Sequence, residues 1–305
     1  KESKVSIIKS FSVGNGDMCY IKHNSDNFTI IDCNINTGNA KGIIEEIKEQ
    51  SAQKSIMRFI STHPDEDHFG GIHLLDDEIK IHNFYVIKNK AIKKDITVSF
   101  ERYCSLRDDC DKAFYISKGC TRKWMNKSDE NRSSSGISVL WPELNNPFFI
   151  EALSACETGE SYNNASAVIR YSLNNGASIM WLGDLETEFM ENIANDIHLE
   201  KTTIVFAAHH GRKSGKIPDS WLKKLDPQYI IIGEAPSRHL NYYTGYQKIT
   251  QNRAGDITMK CIDDKVHFYV SNAAYEKDSL IDEQVYDASL GHYIGSLTVE
   301  KEYTL

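Results

Sequence analysis

STHPDEDHFGG, residues Ser61 to Gly71, places two histidines and three carboxylates within the six positions His63 to His68. It follows SIMRFI (Ser55–Ile60), an apolar run that reads as a buried strand. A solvated turn needs charge, but it has no need of imidazoles at both ends of an acidic cluster. His63 and Asp65 can face one way and Asp67 and His68 another, because an extended segment alternates its side chains. One turn would then offer two ligands to each of two metal ions. Pro64 stiffens the turn, and Gly70 and Gly71 let the following helix begin close to the ions.

Other apolar runs end in the same kind of residue. FTII (Phe28–Ile31) is followed by Asp32, SIMWLG (Ser178–Gly183) by Asp184, and IVFAA (Ile204–Ala208) by His209 and His210. In α/β sheets, ligand sites collect beyond the carboxyl ends of strands, where several loops converge. One such ending is ordinary capping; four together point to a shared pocket. Asp184 fits a carboxylate bridge and His210 a further ligand. Two cations roughly 3.5 to 4 Å apart would make a bridging hydroxide near neutral pH and clamp a phosphodiester displacement. A donor set of Asp and His without thiolate suits Zn²⁺ and also Mn²⁺.

Strand-like and helix-like segments alternate along the whole chain. Strands are expected in VSIIKSFSV, MCYIKH, FTIIDCN, GISVLWPE, ASAVIRYSL, TTIVFAA, QYIIIGE, DITMKCI and KVHFYVS, with Gly14–Asp17 as a tight turn. Helices are expected in AKGIIEEIKEQ and TEFMENIAND. This alternation predicts an α/β fold of layered sheets and helices. We expect a single domain over residues 1–305, with a helical and loop insertion at about 86–135 and a C-terminal extension at about 271–305.

Composition narrows the function classes. The 305 residues carry a net charge of −8, which argues against a general nucleic-acid binder. Between Val86 and Lys127, however, eleven bases face five acids, with Phe100, Tyr103, Phe114, Tyr115 and Trp124 interleaved. Basic side chains with aromatic platforms suit a single-stranded nucleic-acid groove; a helical insertion with core-facing aromatics is the alternative. The seven cysteines are odd in number and scattered, and Cys104, Cys110 and Cys120 match no tight zinc knuckle. They suit reduced thiols and a cytoplasmic location. No apolar stretch is long enough to span a bilayer, so no membrane association is expected. The N-terminal segment has no signal-peptide core, though a first residue of Lys rather than Met leaves room for a trimmed upstream segment.

Taken in order, HPDEDHFGG, WLGDLE and AAHHG resemble the metallo-β-lactamase fold superfamily. Within it, the chain is most similar to the hydrolase domain of ComEC-type competence proteins and its stand-alone relatives. SVGNGDMCYI, NNAS (Asn163–Ser166) and QNRAGDITMKCIDDKVHFYV extend the likeness over roughly Val5 to Val270. The resemblance implies an αββα sandwich with a dinuclear site of Zn²⁺ or Mn²⁺. It implies His63, Asp65, Asp67, His68, Asp184 and His210 as metal ligands, and Asp32 as an orienting group. His209 would contact a phosphate or serve as the acid for the leaving group. Asn164 and Ser166, in the NNAS segment, and Ser214 are expected at the substrate. Arg212 and Lys213 stand where the family commonly has Ser after HHG, and their charge favours a phosphate-bearing substrate.

These observations lead us to expect a metal-dependent hydrolase of phosphodiesters, a nuclease acting on DNA or RNA through Asp32, Asp67 and His209. A small-ester hydrolase acting on a phosphocholine diester, cyclic nucleotide or lactone would use the same site. A binding module with a degenerate site is the third reading.

Overall fold

A computed structural model describes residues 5–239 and 241–300. Its first half runs β1 (Val5–Ser10), β2 (Cys19–Lys22), β3 (Asn27–Ile31), β4 (Cys33–Asn34), α1 (Ala40–Ser51) and β5 (Ile56–Ser61). Then follow α2 (Glu66–Phe69), α3 (Ile72–Ile79), β6 (Phe84–Val86), α4 (Val98–Asp108) and β7 (Ala113–Tyr115). The second half opens with β8 (Ile137–Trp141), α5 (Pro147–Thr158), β9 (Val168–Ser172), β10 (Ser178–Trp181) and α6 (Thr187–Asn192). It continues with β11 (Ile204–Phe206), α7 (Asp219–Leu225), β12 (Tyr229–Ile232), β13 (Lys248–Thr250) and α8 (Gln251–Ala254). The chain returns through β14 (Ile257–Ile262), β15 (Lys265–Val270) and β16 (His292–Thr298).

The fold is α/β, with two mixed sheets. The nine-stranded sheet has the order β16-β15-β14-β1-β2-β3-β5-β6-β7, and the six-stranded sheet β13-β12-β11-β10-β9-β8. Strands β3, β5, β6 and β7 are parallel, as are β10, β11, β12 and β13. The remaining neighbours are antiparallel.

Period-two patterning explains how the sheets stack. On the second sheet, Ile169, Tyr171, Ile179 and Trp181 share one face by register. Tyr171 donates a hydrogen bond to Ser6 Oγ at 2.7 Å, and Tyr229 packs on Phe268, so this face meets the first sheet. Met180, Val205 and Ile230 point the other way and are equally buried, in one core with residues of α5, α6 and α7. The opposite face of the first sheet buries Phe28, Ile30, Phe59 and Phe84 against Ile44 and Ile47 of α1, Leu75 of α3 and Phe100 of α4. Area-proportional burial on this scale is the main force holding such layers together.

Several boundaries differ from the sequence reading. β1 ends at Ser10, although Phe11 N–H still bonds Met18 O across the turn. α5 was not expected, yet Asn146 caps it, Pro147 opens it and Gly159 closes it in the left-handed conformation. Within 86–135, α4 is the helical part, while β7 adds an edge strand to the first sheet. Within 271–305, β16 pairs with β15; residues 301–305 lie outside the described ones.

Candidate metal centre

Parallel strands deliver their carboxyl ends to one edge. β3 leads to Asp32, β5 to Thr62 and His63, β10 to Asp184, and β11 to His209 and His210. β1 is antiparallel to β2, and β2 to β3, so the β1–β2 turn, with Asp17, reaches the same edge as Asp32.

Two overlapping groups gather there. His63, Asp67, His68 and Asp184 form one, and Asp17, His68, Asp184 and His210 the other, each with ligand atoms within 4.8 Å of one another. His68 Nε2 lies 3.1 Å from Asp184 Oδ1 and 3.9 Å from Asp67 Oδ1. His210 Nε2 lies 3.3 Å from Asp67 Oδ2 and 3.7 Å from Asp184 Oδ2. His63 Nε2 is 3.8 Å from Asp184 Oδ2.

Buried polar atoms normally find a hydrogen-bond partner. Here His63 Nε2, His68 Nε2, Asp184 Oδ1 and His210 Nδ1 are buried and make no hydrogen bond. His63 Nε2 and His68 Nε2 both face Asp184, while His210 Nδ1 lies beside Asp17 and His210 turns its Nε2 to Asp67 and Asp184. A cation is what nitrogen lone pairs and carboxylate oxygens have in common as a partner, and an N/O set without sulfur fits Zn²⁺ or Mn²⁺.

The surrounding bonds settle which nitrogens are bare. Asp32 accepts from Thr62 N–H at 2.7 Å, Thr62 Oγ1–H at 2.6 Å and His68 Nδ1–H at 2.8 Å. With Nδ1 carrying a proton, neutral His68 presents a lone pair at Nε2. The Thr62 hydroxyl, having given its proton to Asp32, accepts from His63 Nδ1 at 3.1 Å, which leaves His63 Nε2 bare as well. Asp17 Oδ1, 3.2 Å from His210 Nδ1, has the equivalent position for His210.

Without a cation, protons take its place. Burial works against a charged His68, but Asp184 and Asp32 overcome it and raise its pKa well above the usual range. Burial is likewise opposed in His210, where Asp17 and Asp184 push the value up to about 10. Asp67 goes down to about 2, since His210 and His68 outweigh burial, and Asp184 also falls, through His68 and His210. His63 is lowered by burial and by the charge of His68.

The expected site residues divide. His63, Asp67, His68, Asp184 and His210 come together, with Asp32 behind them. Asp65 stays outside both groups: it accepts from Glu66 N–H and pairs with Lys93 Nζ at 2.7 Å. His209 Nδ1 bonds Ser214 Oγ at 3.0 Å and its Nε2 lies 3.7 Å from Asp184. Burial lowers its pKa, so at neutral pH it carries one N–H, which suits a contact to substrate better than an acid for the leaving group. Arg212 and Lys213 lie at the rim. Asn164 is committed to Glu186, accepting from its N–H and donating to its carboxylate. Ser166 requires correction as a substrate contact. It is fully buried, and its hydroxyl accepts from Asp184 N–H at 2.9 Å, so it positions that carboxylate.

The basic window also reads differently in three dimensions. Phe100 and Tyr103 are core residues, Arg122 packs on Tyr85 and Phe114, and Arg132 covers Trp124. Arg102 pairs with Asp76 and Asp77, Arg107 with Asp108 and Lys118 with Glu143. The aromatic platforms of a strand-binding groove are largely taken up by the fold, as in the alternative of a helical insertion with core-facing aromatics.

Asp17 and Thr62 were not assigned from sequence. Asp17 stands in the Gly14–Asp17 turn, where the strand-then-carboxylate pattern already recurs, so the signal was present. No family model matches the chain, and no curated protein matches it.

Proposed function

We propose that the chain is a metal-dependent phosphodiesterase, a nuclease built as an αββα sandwich of the metallo-β-lactamase type. The observation that carries this reading is the set of buried, unpartnered nitrogen and oxygen atoms of His63, His68 and Asp184, with His210 Nε2 3.7 Å from the same Asp184 carboxylate. These residues, with Asp67 and Asp17, would hold one or two divalent cations, Zn²⁺ or Mn²⁺. A divalent cation supplies Lewis acidity and an attacking water that ionises near neutral pH. Asp32 and Thr62 hold His63 and His68 with Nε2 turned inward. Ser166 fixes Asp184 from behind. His209 turns its Nε2 toward Asp184, and Arg212 and Lys213 bring positive charge to the rim, which favours a phosphate-bearing substrate.

The small-ester reading draws on the −8 net charge and on the burial of Phe100 and Tyr103. Elemental analysis of purified protein, with cleavage of single-stranded DNA and of a chromogenic phosphodiester in added Mn²⁺ or Zn²⁺, separates the two. A nuclease degrades the DNA and loses activity in Asp184→Asn together with its cation. Turnover of the small ester alone would favour the second reading. Protein that takes up no divalent ion would end both.

A further inference from the structure

A second set of polar groups without partners adjoins the centre. Arg212, Lys213 and Arg238 have no carboxylate within 4 Å among the described residues. Arg212 donates one guanidinium N–H to Asn15, in the same turn as Asp17, while its Nε is buried without a partner. β12 runs parallel to β11, so the segment after it, with Arg238 and His239, emerges on the same edge as His209 and His210.

His239 makes the surplus of donors plain. Lys213 N–H points at its Nδ1 at 3.3 Å, and Arg238 Nε–H points at its Nε2 at 3.2 Å. A neutral imidazole carries its proton on one nitrogen and accepts only at the other. Protonating the ring would remove both acceptors, and burial together with the Arg238 and Arg212 charges lowers its pKa. One of the two N–H groups is therefore always left over. With Arg212 Nε and the exposed Lys213 ammonium, the cluster has several donors and net positive charge but too few acceptors. An oxyanion with several oxygens fits such a fork. Tyr242, its ring 5.8 Å from His239, adds an aromatic face beside it.

The cluster touches the centre without being part of it. Ser214, next to Lys213, bonds His209, which faces Asp184. We propose that Arg212, Lys213, Arg238 and His239 form a subsite for a phosphate other than the one cleaved, so that the substrate is a nucleotide chain with at least two phosphates. This rests on the phosphodiesterase reading of the adjacent centre, and it sets a chain apart from a lactone or a phosphocholine diester.

The test uses the full-length chain and dye-labelled TpT, TpTpT and pTpT. Binding is measured by anisotropy with chelator present, and cleavage as kcat/KM with Mn²⁺. Wild-type protein should prefer TpTpT over TpT by about tenfold in both measurements, as expected for one added charge-assisted contact. The preference should disappear in Arg238→Ala, return in part in Arg238→Lys, and shrink in Arg212→Gln. Thermal unfolding of each variant checks that it is folded; Arg238 is exposed and replaceable without disturbing the core. Equal binding of TpT and TpTpT by wild type, or an unchanged preference in Arg238→Ala, would overturn the subsite. A tenfold preference for pTpT as well places a terminal phosphate there; a preference for TpTpT alone places an internal one. Selective binding without cleavage would leave the subsite standing and remove the catalytic reading.

Discussion

Asp32, His209 and His210 have backbone φ of 56°, 51° and 54°, in a region that side chains other than glycine seldom occupy. Each such residue costs on the order of 1–3 kcal/mol and persists only where its surroundings over-determine it. At Asp32 the surroundings are three donors on one carboxylate. An asparagine offers a single acceptor oxygen, so Asp32→Asn leaves donors unmet and frees the His68 ring to turn. We expect cation affinity to fall by roughly 10–100-fold, as for other orienting partners of metal ligands. Competition with a chromogenic chelator, below the unfolding temperature of the variant, measures it. The same residues set a pH dependence. Because the pKa of cation-free His210 is about 10, the ring is protonated at neutral pH, and a ligand must lose that proton to coordinate. Cation uptake at pH 7 should release protons, and affinity should strengthen as pH rises. An indicator dye in weak buffer follows the release, to which His68 contributes as well; uptake without any release would mean that neither ring gives up a proton to the cation.

Between α2 and α3, Gly71 has φ of 72°, and a Cβ there would collide with the Ile35 carbonyl. That close approach is where the chain beyond β4 crosses the turn bearing His68, since Ile35 N–H bonds Gly70 O at 3.0 Å. Gly71→Ala should therefore destabilise the fold by on the order of 2 kcal/mol or more, and displace His68 with it. Chemical denaturation reads the first effect and cation affinity the second. At this scale the sequence was informative wherever a pattern was local. The apolar residues of α1 at helical spacing, the β-branched runs of β3 and β12, and the glycines after His68 were all readable. α5 was missed although its Asn-Pro opening was visible, because a helix with apolar residues on several sides lacks a clear period. β7 and β16 were missed because edge strands are specified by the neighbour they pair with: β7 has only three residues, and β16 is broken in its pattern by Gly295.

For the whole molecule, charge is arranged against its own average. The net charge is −8, yet Arg212, Lys213 and Arg238 stand beside the centre without carboxylate partners among the described residues. Three contacts to a single strand would give a slope of log affinity against log salt of roughly −2. Replacing Lys88, Lys90 and Lys94 by Ala should leave that slope unchanged, because most aromatic residues of the Val86–Lys127 window are engaged in packing, the exposed Tyr115 beside Lys88 excepted. A slope that falls in this triple variant would return the strand to the Val86–Lys127 window. The sequence by itself determined the α/β class, most strands, and a shortlist in which His63, Asp67, His68, Asp184 and His210 already stood together. Strand ends and residue types are local properties, and parallel strands must bring their ends to one edge. Only the tertiary structure decided that Asp17 joins them, that Lys93 takes Asp65, that Ser166 lies behind Asp184, and that Arg238 meets Lys213 around one imidazole. Those outcomes depend on which loops cross in space, and no spacing along the chain encodes a crossing.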